Sequence, residues 1–328
     1  MQRKYWTAED IKYLKDNIGH KPIKNIAKDL GVTETAVRRK TYKLGIILKN
    51  INGEYWTAEE DRILKENFMY APKNMLMDMI PNRTWPAIYQ RGNKKMQILR
   101  LSQDKISVNY KFFENWTQES AYIFGFILAD GHLFKNRGER NANSLQIELA
   151  LYDIDILKKI KKAMKYQGNI SISSRKTCRL EIGNVKIIED LIDKGIPSKN
   201  KTVLSDFPKT LPKELYPYFI LGVFDGDGSI YEDEKSLVFQ VLGTKSLLEK
   251  IKDVIPIDLK NVSIYDRRNC STPVSVYCLK VKGKKAEEIF KWLYKDSSIF
   301  LDRKHNFYVK WLNKHILRCS GNAARTQP

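Results

Sequence analysis

The sequence predicts an α+β protein assembled from two tandem duplications: two small three-helix units, then two larger halves that mix helices with strand hairpins. Three observations lead there. Tyr5-Trp6-Thr7-Ala8-Glu9 returns as Tyr55-Trp56-Thr57-Ala58-Glu59. The run Ile123-Phe124-Gly125-Phe126-Ile127-Leu128-Ala129-Asp130-Gly131 returns as Ile220-Leu221-Gly222-Val223-Phe224-Asp225-Gly226-Asp227-Gly228. After each copy of that run, stretches of alternating apolar and polar residues are interleaved with helical spacings.

The whole chain sets bounds on this reading. Its 328 residues, 42% hydrophobic and 29% charged, suit two to three folded domains and exclude a wholly disordered or fibrous protein. Lys and Arg number 58 against 38 Asp and Glu, a net charge of +20, which points to a polyanionic partner, nucleic acid ahead of an acidic membrane surface. No stretch approaches the ~18 apolar residues of a membrane span, and the first ten residues lack the apolar core of a signal peptide. Cys178, Cys270, Cys278 and Cys319 form no CxxC pair, so they read as reduced thiols of an intracellular, non-membrane protein.

In each small unit a Thr stands three residues before an acid, Thr7 with Asp10 and Thr57 with Glu60, so that hydroxyl and carboxylate can cap a helix start reciprocally. In the first unit Ile11, Leu14 and Ile18 mark an apolar face, Pro22 to Leu30 is a second helix closed by Gly31, and Thr33 caps a third that runs to about Leu44. That third helix turns Ala36, Val37 and Leu44 inward and carries Arg38, Arg39, Lys40 and Lys43, which suits a helix lying in the DNA major groove. The second unit repeats the plan with helices at Pro72 to Ile80 and Arg83 to Met96, the latter bearing Arg91, Lys94 and Lys95. One basic helix alone is usually a solvated face; the repetition favours DNA. The early Trp6 and Trp56, three short helices and a basic third helix resemble tandem Myb/SANT-like helix-turn-helix repeats. The units fall at residues 1–48 and 49–98, with a connector at 99–111.

The second duplication carries the chemistry. Each copy reads as an apolar helix ended by a glycine, Gly131 or Gly228, suited to the left-handed position just past a helix C-terminus. Directly before that glycine stands an Asp. A carboxylate at the negative end of a helix dipole is unfavourable by about 0.3–1 kcal/mol, and a local rule broken twice suggests function. Small residues four apart, Gly125 with Ala129 and Gly222 with Gly226, share a face, so the two helices can approach closely and set Asp130 beside Asp227. Paired carboxylates repel unless divalent cations lie among them, and hard oxygen ligands suit Mg²⁺. That geometry describes metal-assisted phosphodiester hydrolysis. A lone Asp-Gly is usually a turn; two copies behind matched helices reverse those odds.

Over about residues 112–316 these motifs resemble the single-chain, two-motif LAGLIDADG homing endonucleases. The resemblance implies two pseudo-symmetric αββαββα halves, at 112–205 and 206–318, that form a DNA-binding saddle, followed by a structureless tail at 319–328. It implies hairpins at 132–136 with 144–151, around Arg137 to Arg140, and at 169–182, and helices at 153–165 and 185–194. The second half parallels this, with strands near 229–234, 237–243, 261–267 and 274–282 and helices near 245–254 and 284–296. The family pattern assigns metal ligation, by Mg²⁺ or another divalent cation, to Asp130 and Asp227, with the carbonyls of Ala129 and Gly226 as further ligands. It makes Asp225 a structural acid, where the first copy has Leu128, and puts Lys282 near the scissile phosphates; Arg179 or Lys176 would serve the first half. Alternation along the strands offers Lys135, Gln146, Glu148, Arg175, Arg179, Gln240, Arg267 and Lys280 to the DNA grooves. His132 suits a surface or DNA contact rather than a metal, since the chain lacks HxxxH spacing. Phe300-Leu301-Asp302-Arg303-Lys304-His305 is similar to the basic helix that often ends such domains.

The expectation is a monomeric, sequence-specific, Mg²⁺-dependent endonuclease that cuts both strands of a long, asymmetric double-stranded DNA site. The small units would extend the footprint through effective concentration. Two alternatives share the fold: a regulator that binds DNA without cutting it, and an RNA-splicing maturase. Intein splicing lacks its flanking nucleophile and C-terminal His-Asn.

Overall fold

Helices begin where threonine hydroxyls can hold the first free amides. The Thr7 hydroxyl accepts from the Asp10 amide while the Asp10 carboxylate accepts from the Thr7 amide, both at 3.1 Å, opening α1 (Ala8–Asn17). The same reciprocal cap, Thr57 with Glu60, opens α4 (Ala58–Asn67). Between them lie α2 (Ile23–Asp29) and α3 (Glu34–Lys43), the latter capped by Thr33. Gly31 lies between these two at a φ of +62°, a left-handed residue that stops α2. The computed structural model describes residues 6–18, 21, 23–46, 56–101, 106–134, 144–198, 201–267 and 276–323.

The chain forms two compact units, Met1–Glu66 and Asn67–Pro328. In the first, Leu14, Ile23, Ile26, Ala27, Leu30 and Val37 make a small core, with Trp6, Tyr13 and Leu44 packed against it. Trp6 is therefore an anchor, and the Lys40 ammonium lies 5.7 Å from its ring centre. Arg39 and Lys43 are exposed on α3, and Arg38 is half-buried.

The second unit opens with α5 (Lys73–Met79) and α6 (Trp85–Tyr89). The helix expected from Arg83 to Met96 is present from Trp85 to Lys95, but only its first part is an α-helix. After Tyr89 the chain widens into a π turn, Gln90–Lys95, where the Met96 amide reaches the Arg91 carbonyl five residues back. Here Gly92 lies against Phe68: a Cβ on Gly92 would stand 2.5 Å from the Phe68 ring. Periodicity at 3.6 residues does not register a turn with one residue more.

Two αββαββα halves follow. The first runs α7 (Gln118–Asp130), β1 (Gly131–Phe134), β2 (Ser144–Ala150), α8 (Ile154–Ala163), β3 (Ser171–Ile172), β4 (Thr177–Ile182) and α9 (Val185–Asp193). After the short α10 (Lys201–Leu204), the second runs α11 (Tyr216–Asp227), β5 (Gly228–Asp233), β6 (Ser236–Gly243), α12 (Lys245–Val254), β7 (Ile264–Asp266), β8 (Tyr277–Lys282) and α13 (Lys284–Tyr294). Each sheet is antiparallel with the central pair formed by its second and fourth strands, β1-β2-β4-β3 and β5-β6-β8-β7. Leu145, Ile147, Leu180 and Ile182 face one core; Phe239, Val241, Leu279 and Val281 face the other. The last helix, α14 (Asp302–Ala323), carries on through Ser320 to Ala323, which had read as tail. Arg137 to Arg140, at the turn of the first hairpin, lie outside the described residues.

Glycine at the motif ends acts differently from expectation. Gly131 and Gly228 have φ of −75° and −102° with extended ψ, so neither is left-handed. They are instead points of close approach. A Cβ on Gly131 would sit 2.6 Å from Ile127 Cγ2, and one on Gly228 would sit 2.4 Å from Phe224 Cδ2. Each helix passes straight into a strand, with no room for a side chain at the joint.

The two motif helices cross with their backbones almost touching. A Cβ on Gly125 would lie 2.2 Å from the Phe219 carbonyl oxygen, and one on Gly222 only 2.0 Å from that of Tyr122. Around this crossing Phe124, Phe126, Phe219 and Phe224 are fully buried. A buried polar link spans it: the Tyr122 hydroxyl donates to Asp225 Oδ2 at 2.7 Å, both groups buried. Tyr122→Phe should cost about 1–3 kcal/mol of stability, since the carboxylate loses a buried donor. Urea unfolding of the two proteins checks this, and a difference under ~0.5 kcal/mol would contradict it.

Candidate active site

The crossing delivers two helix ends to one place. Asp130 and Asp227 are the last residues of α7 and α11, and both are exposed. A Cβ on Gly226 would stand 2.3 Å from the Ala129 Cβ and 3.3 Å from Asp130 Oδ2. The Asp130 carboxylate therefore lies against the backbone just before Asp227. A cavity of about 220 Å³ opens beside Asp227, with Leu128, Ala129 and Val223 on its apolar wall and Ser205 and Thr244 contributing polar atoms.

Behind the helix ends sits a buried lysine. Lys304, in the first turn of α14 and only 3% exposed, donates to the carbonyls of Phe224 (2.6 Å), Asp225 (2.8 Å) and Gly228 (2.7 Å). The Phe224 carbonyl also accepts from the Gly228 amide, so the ammonium reinforces the end of α11 and its joint with β5 and offsets the negative end of the helix dipole. Burial pushes the Lys304 pKa down to about 8, against the pull of Asp225; Asp130 lies close enough to favour its charge as well. Asp225 is the counterpart inside. Burial raises its pKa to about 6, against the nearby Lys304 and the hydrogen bond from Tyr122. Its Oδ2 also accepts from the Leu301 amide at 2.7 Å, while Oδ1 is buried without a hydrogen-bond partner. Lys304→Met would remove three hydrogen bonds to backbone carbonyls and leave the buried Asp225 without its nearby cation, at a cost of about 3–5 kcal/mol. Thermal unfolding should show that loss, and Asp225→Asn in the same chain should recover part of it; additive losses would disprove the coupling.

Lys304 escaped sequence reasoning, although a signal was present. A lysine in the first turn of a helix stands at the wrong end of the dipole, the mirror image of the anomaly that exposed the two aspartates. Lys282, the basic residue the family pattern pointed to, is the last residue of β8. It is paired with Val238, level with Tyr231, towards the hairpin end of the sheet. There Glu234 (2.7 Å) and Asp233 (3.3 Å) hold its ammonium and raise its pKa, Glu234 foremost. Lys280 is nearer in register to Gly228, opposite Gln240 and Ser229, with Tyr231 the main cause of its raised pKa.

The proposed groove residues sort by strand. Gln146, Glu148 and Arg179 share the polar face of the first sheet, where Glu148 accepts from Gln146, Thr177 and Arg179. Those bonds, Thr177 first, hold the Glu148 pKa below the usual carboxylate range. Gln240 accepts from the Tyr231 hydroxyl on the second sheet. Arg175 and Lys176 are exposed at the turn between β3 and β4, and Arg267 is exposed just after β7. His132 is exposed, with its ring parallel to that of Phe134. Lys94 and Lys95 are exposed on the π turn and Arg91 is half-buried. Lys135 lies outside the described residues.

Among the described residues no group of three or more His, Cys, Asp or Glu could hold a metal by side chains alone. A Mg²⁺ site needs less: one or two carboxylates, with waters and substrate phosphate oxygens completing an octahedron. Two exposed carboxylates at adjoining helix ends fit that donor set. Among those residues no helix is long and apolar enough to cross a membrane.

No protein-family model and no curated protein matches the sequence. Solved structures do. The chain is similar to the I-LtrWI LAGLIDADG homing endonuclease bound to target DNA, at 16% identity and a TM-score of 0.40, covering 64% of this chain and 92% of that one. It is similar also to the LAGLIDADG meganuclease I-AabMI bound to uncleaved DNA, at 15% and 0.43, covering 61% and 91%. A third is the I-SmaMI LAGLIDADG homing endonuclease bound to cleaved DNA, at 15% and 0.40, covering 63% and 91%. At such identities and TM-scores the similarity carries nothing about the chemistry of this chain.

Proposed function

We propose that this chain is a sequence-specific, divalent-metal-dependent endonuclease that hydrolyses both strands of a long double-stranded DNA site. One observation carries the reading: two exposed aspartates end two helices whose backbones converge at Gly226 and Ala129. Each carboxylate stands where a helix dipole disfavours it, an arrangement that packing does not require and that bound cations would stabilise. Bound there, Mg²⁺ would polarise phosphoryl oxygens and lower the pKa of an attacking water. Asp130 and Asp227 would hold it, with the carbonyls of Ala129 and Gly226 nearby. Lys304 would keep the end of α11 electrostatically balanced and so hold Asp227 in place. The net charge of +20 and the polar sheet faces bearing Gln146, Arg179, Gln240 and Lys280 suit a duplex lying across both sheets. The exposed bases of α3 suit an additional groove contact.

Supercoiled plasmid carrying a site selected from a randomised library tests this. Linear product should form with Mg²⁺ and vanish with EDTA. Binding without cutting under both conditions would instead make the protein a regulator, and preference for folded intron RNA over duplex DNA would make it a maturase.

A further inference from the structure

The helical segment at residues 67–101 reads in sequence as part of a module joined to the nuclease halves by a polar connector. Its attachments are of another kind. Arg100 lies 4.9 Å from the Trp85 ring centre, and its guanidinium donates to the carbonyls of Phe68 (2.6 Å) and Ala71 (2.8 Å). The Leu101 amide donates to the Met69 carbonyl at 2.9 Å. From the connector the Tyr110 hydroxyl donates to Asn67 Oδ1, and from the first half the Asn184 amide group donates to the Tyr70 carbonyl at 3.1 Å. Tyr110 and Asn184 are 2% and 1% exposed, so a swinging segment would uncover both. Glu189 of α9 faces the Tyr70 hydroxyl. Within the connector itself, the Asn109 amide is tied to the Met164 carbonyl, and the Ser107 carbonyl accepts from the Gln167 amide.

The segment also has the charge of a polyanion contact. Lys73, Arg83, Arg91, Lys94, Lys95 and Arg100 stand against one acid, Asp78. Lys94 and Lys95 are exposed on the π turn, a distortion that in proteins gathers at functional positions.

We propose that residues 67–101 form a fixed arm that contacts duplex DNA flanking the cleavage site at one set spacing from the first half. The arm rests on the nuclease reading and adds to it a ruler in place of a tether. The two differ in reach. A free connector of about ten residues would span roughly 17 Å and follow a displaced flank. A docked arm would not, because five inserted base pairs move the flank by about 17 Å and turn it half a helical repeat away.

The experiment uses the full chain, its selected target, and that target with five base pairs inserted between the core and the protected flank. Wild type should bind the inserted duplex about tenfold or more weakly and lose flank protection, with cut positions in the core unchanged. Tyr110→Phe combined with Asn184→Asp, which keeps the α9 cap but removes the donor to Tyr70, should tolerate the insertion better than wild type. Flank protection that travels with the insertion at little loss of affinity overturns the arm, as does core cleavage with no flank protection. If no duplex is cut at all, the nuclease reading fails and takes the arm with it.

Discussion

Gly222→Ala should destabilise the C-terminal unit by about 3 kcal/mol or more, at the upper end of the range for overpacking. The new methyl would stand 2.0 Å from the Tyr122 carbonyl oxygen and 2.8 Å from the Phe126 nitrogen. Both obstacles are helix backbone, so no rotamer change relieves them, and α7 and α11 must separate among fully packed phenylalanines. Gly125→Ala meets the Phe219 carbonyl at 2.2 Å and should behave alike. Gly226 offers a sharper test, because its obstacle is the single methyl of Ala129 at 2.3 Å. Gly226→Ala alone should destabilise, while Gly226→Ala with Ala129→Gly moves one methyl across the seam and should regain most of the loss. Denaturant unfolding of the four proteins gives the coupling directly, and simple additivity would refute the contact.

Asp227→Asn should lower cleavage by about 10²–10³-fold or more while leaving DNA affinity roughly unchanged. The substitution keeps size and hydrogen-bonding capacity but removes the charge a cation needs. The side chain is exposed at the end of α11, so folding should survive, and relief from the helix dipole should even add a few tenths of a kcal/mol. Asp130→Asn should act similarly on the other strand, so each single variant should leave nicked circles where wild type leaves linear DNA. Gel analysis of plasmid products decides, and an Asp227→Asn protein that linearises plasmid at the normal rate would remove Asp227 from the metal site.

Much of the fold was legible because it is written twice. Repetition pointed to the two αββαββα halves, and the helix starts followed from Thr7, Thr33 and Thr57, whose effects are local. The spacing of Gly125, Ala129, Gly222 and Gly226 gave the close crossing, since missing side chains have few other uses on a buried helix. What stayed hidden depends on distant partners. Gly92 widens its turn where it lies against Phe68, and nothing within the turn declares that. Gly131 and Gly228 are glycines because Ile127 and Phe224 fill the space, rather than because of their φ. Lys304 finds its three carbonyls roughly eighty residues earlier in the chain. Strand position alone likewise does not declare that Glu234 and Asp233 at the neighbouring hairpin pair with Lys282.

The bare crossing of the two motif helices also constrains ancestry. With no side chain to trim at Gly125 or Gly222, neither half can drift in shape without a matching change in the other. A half grafted from a different lineage would mate only if it presented the same small residues at the same heights. Recombination between such genes is thus confined to exchanges that keep both faces of the seam complementary, whatever becomes of the sheets that meet the target.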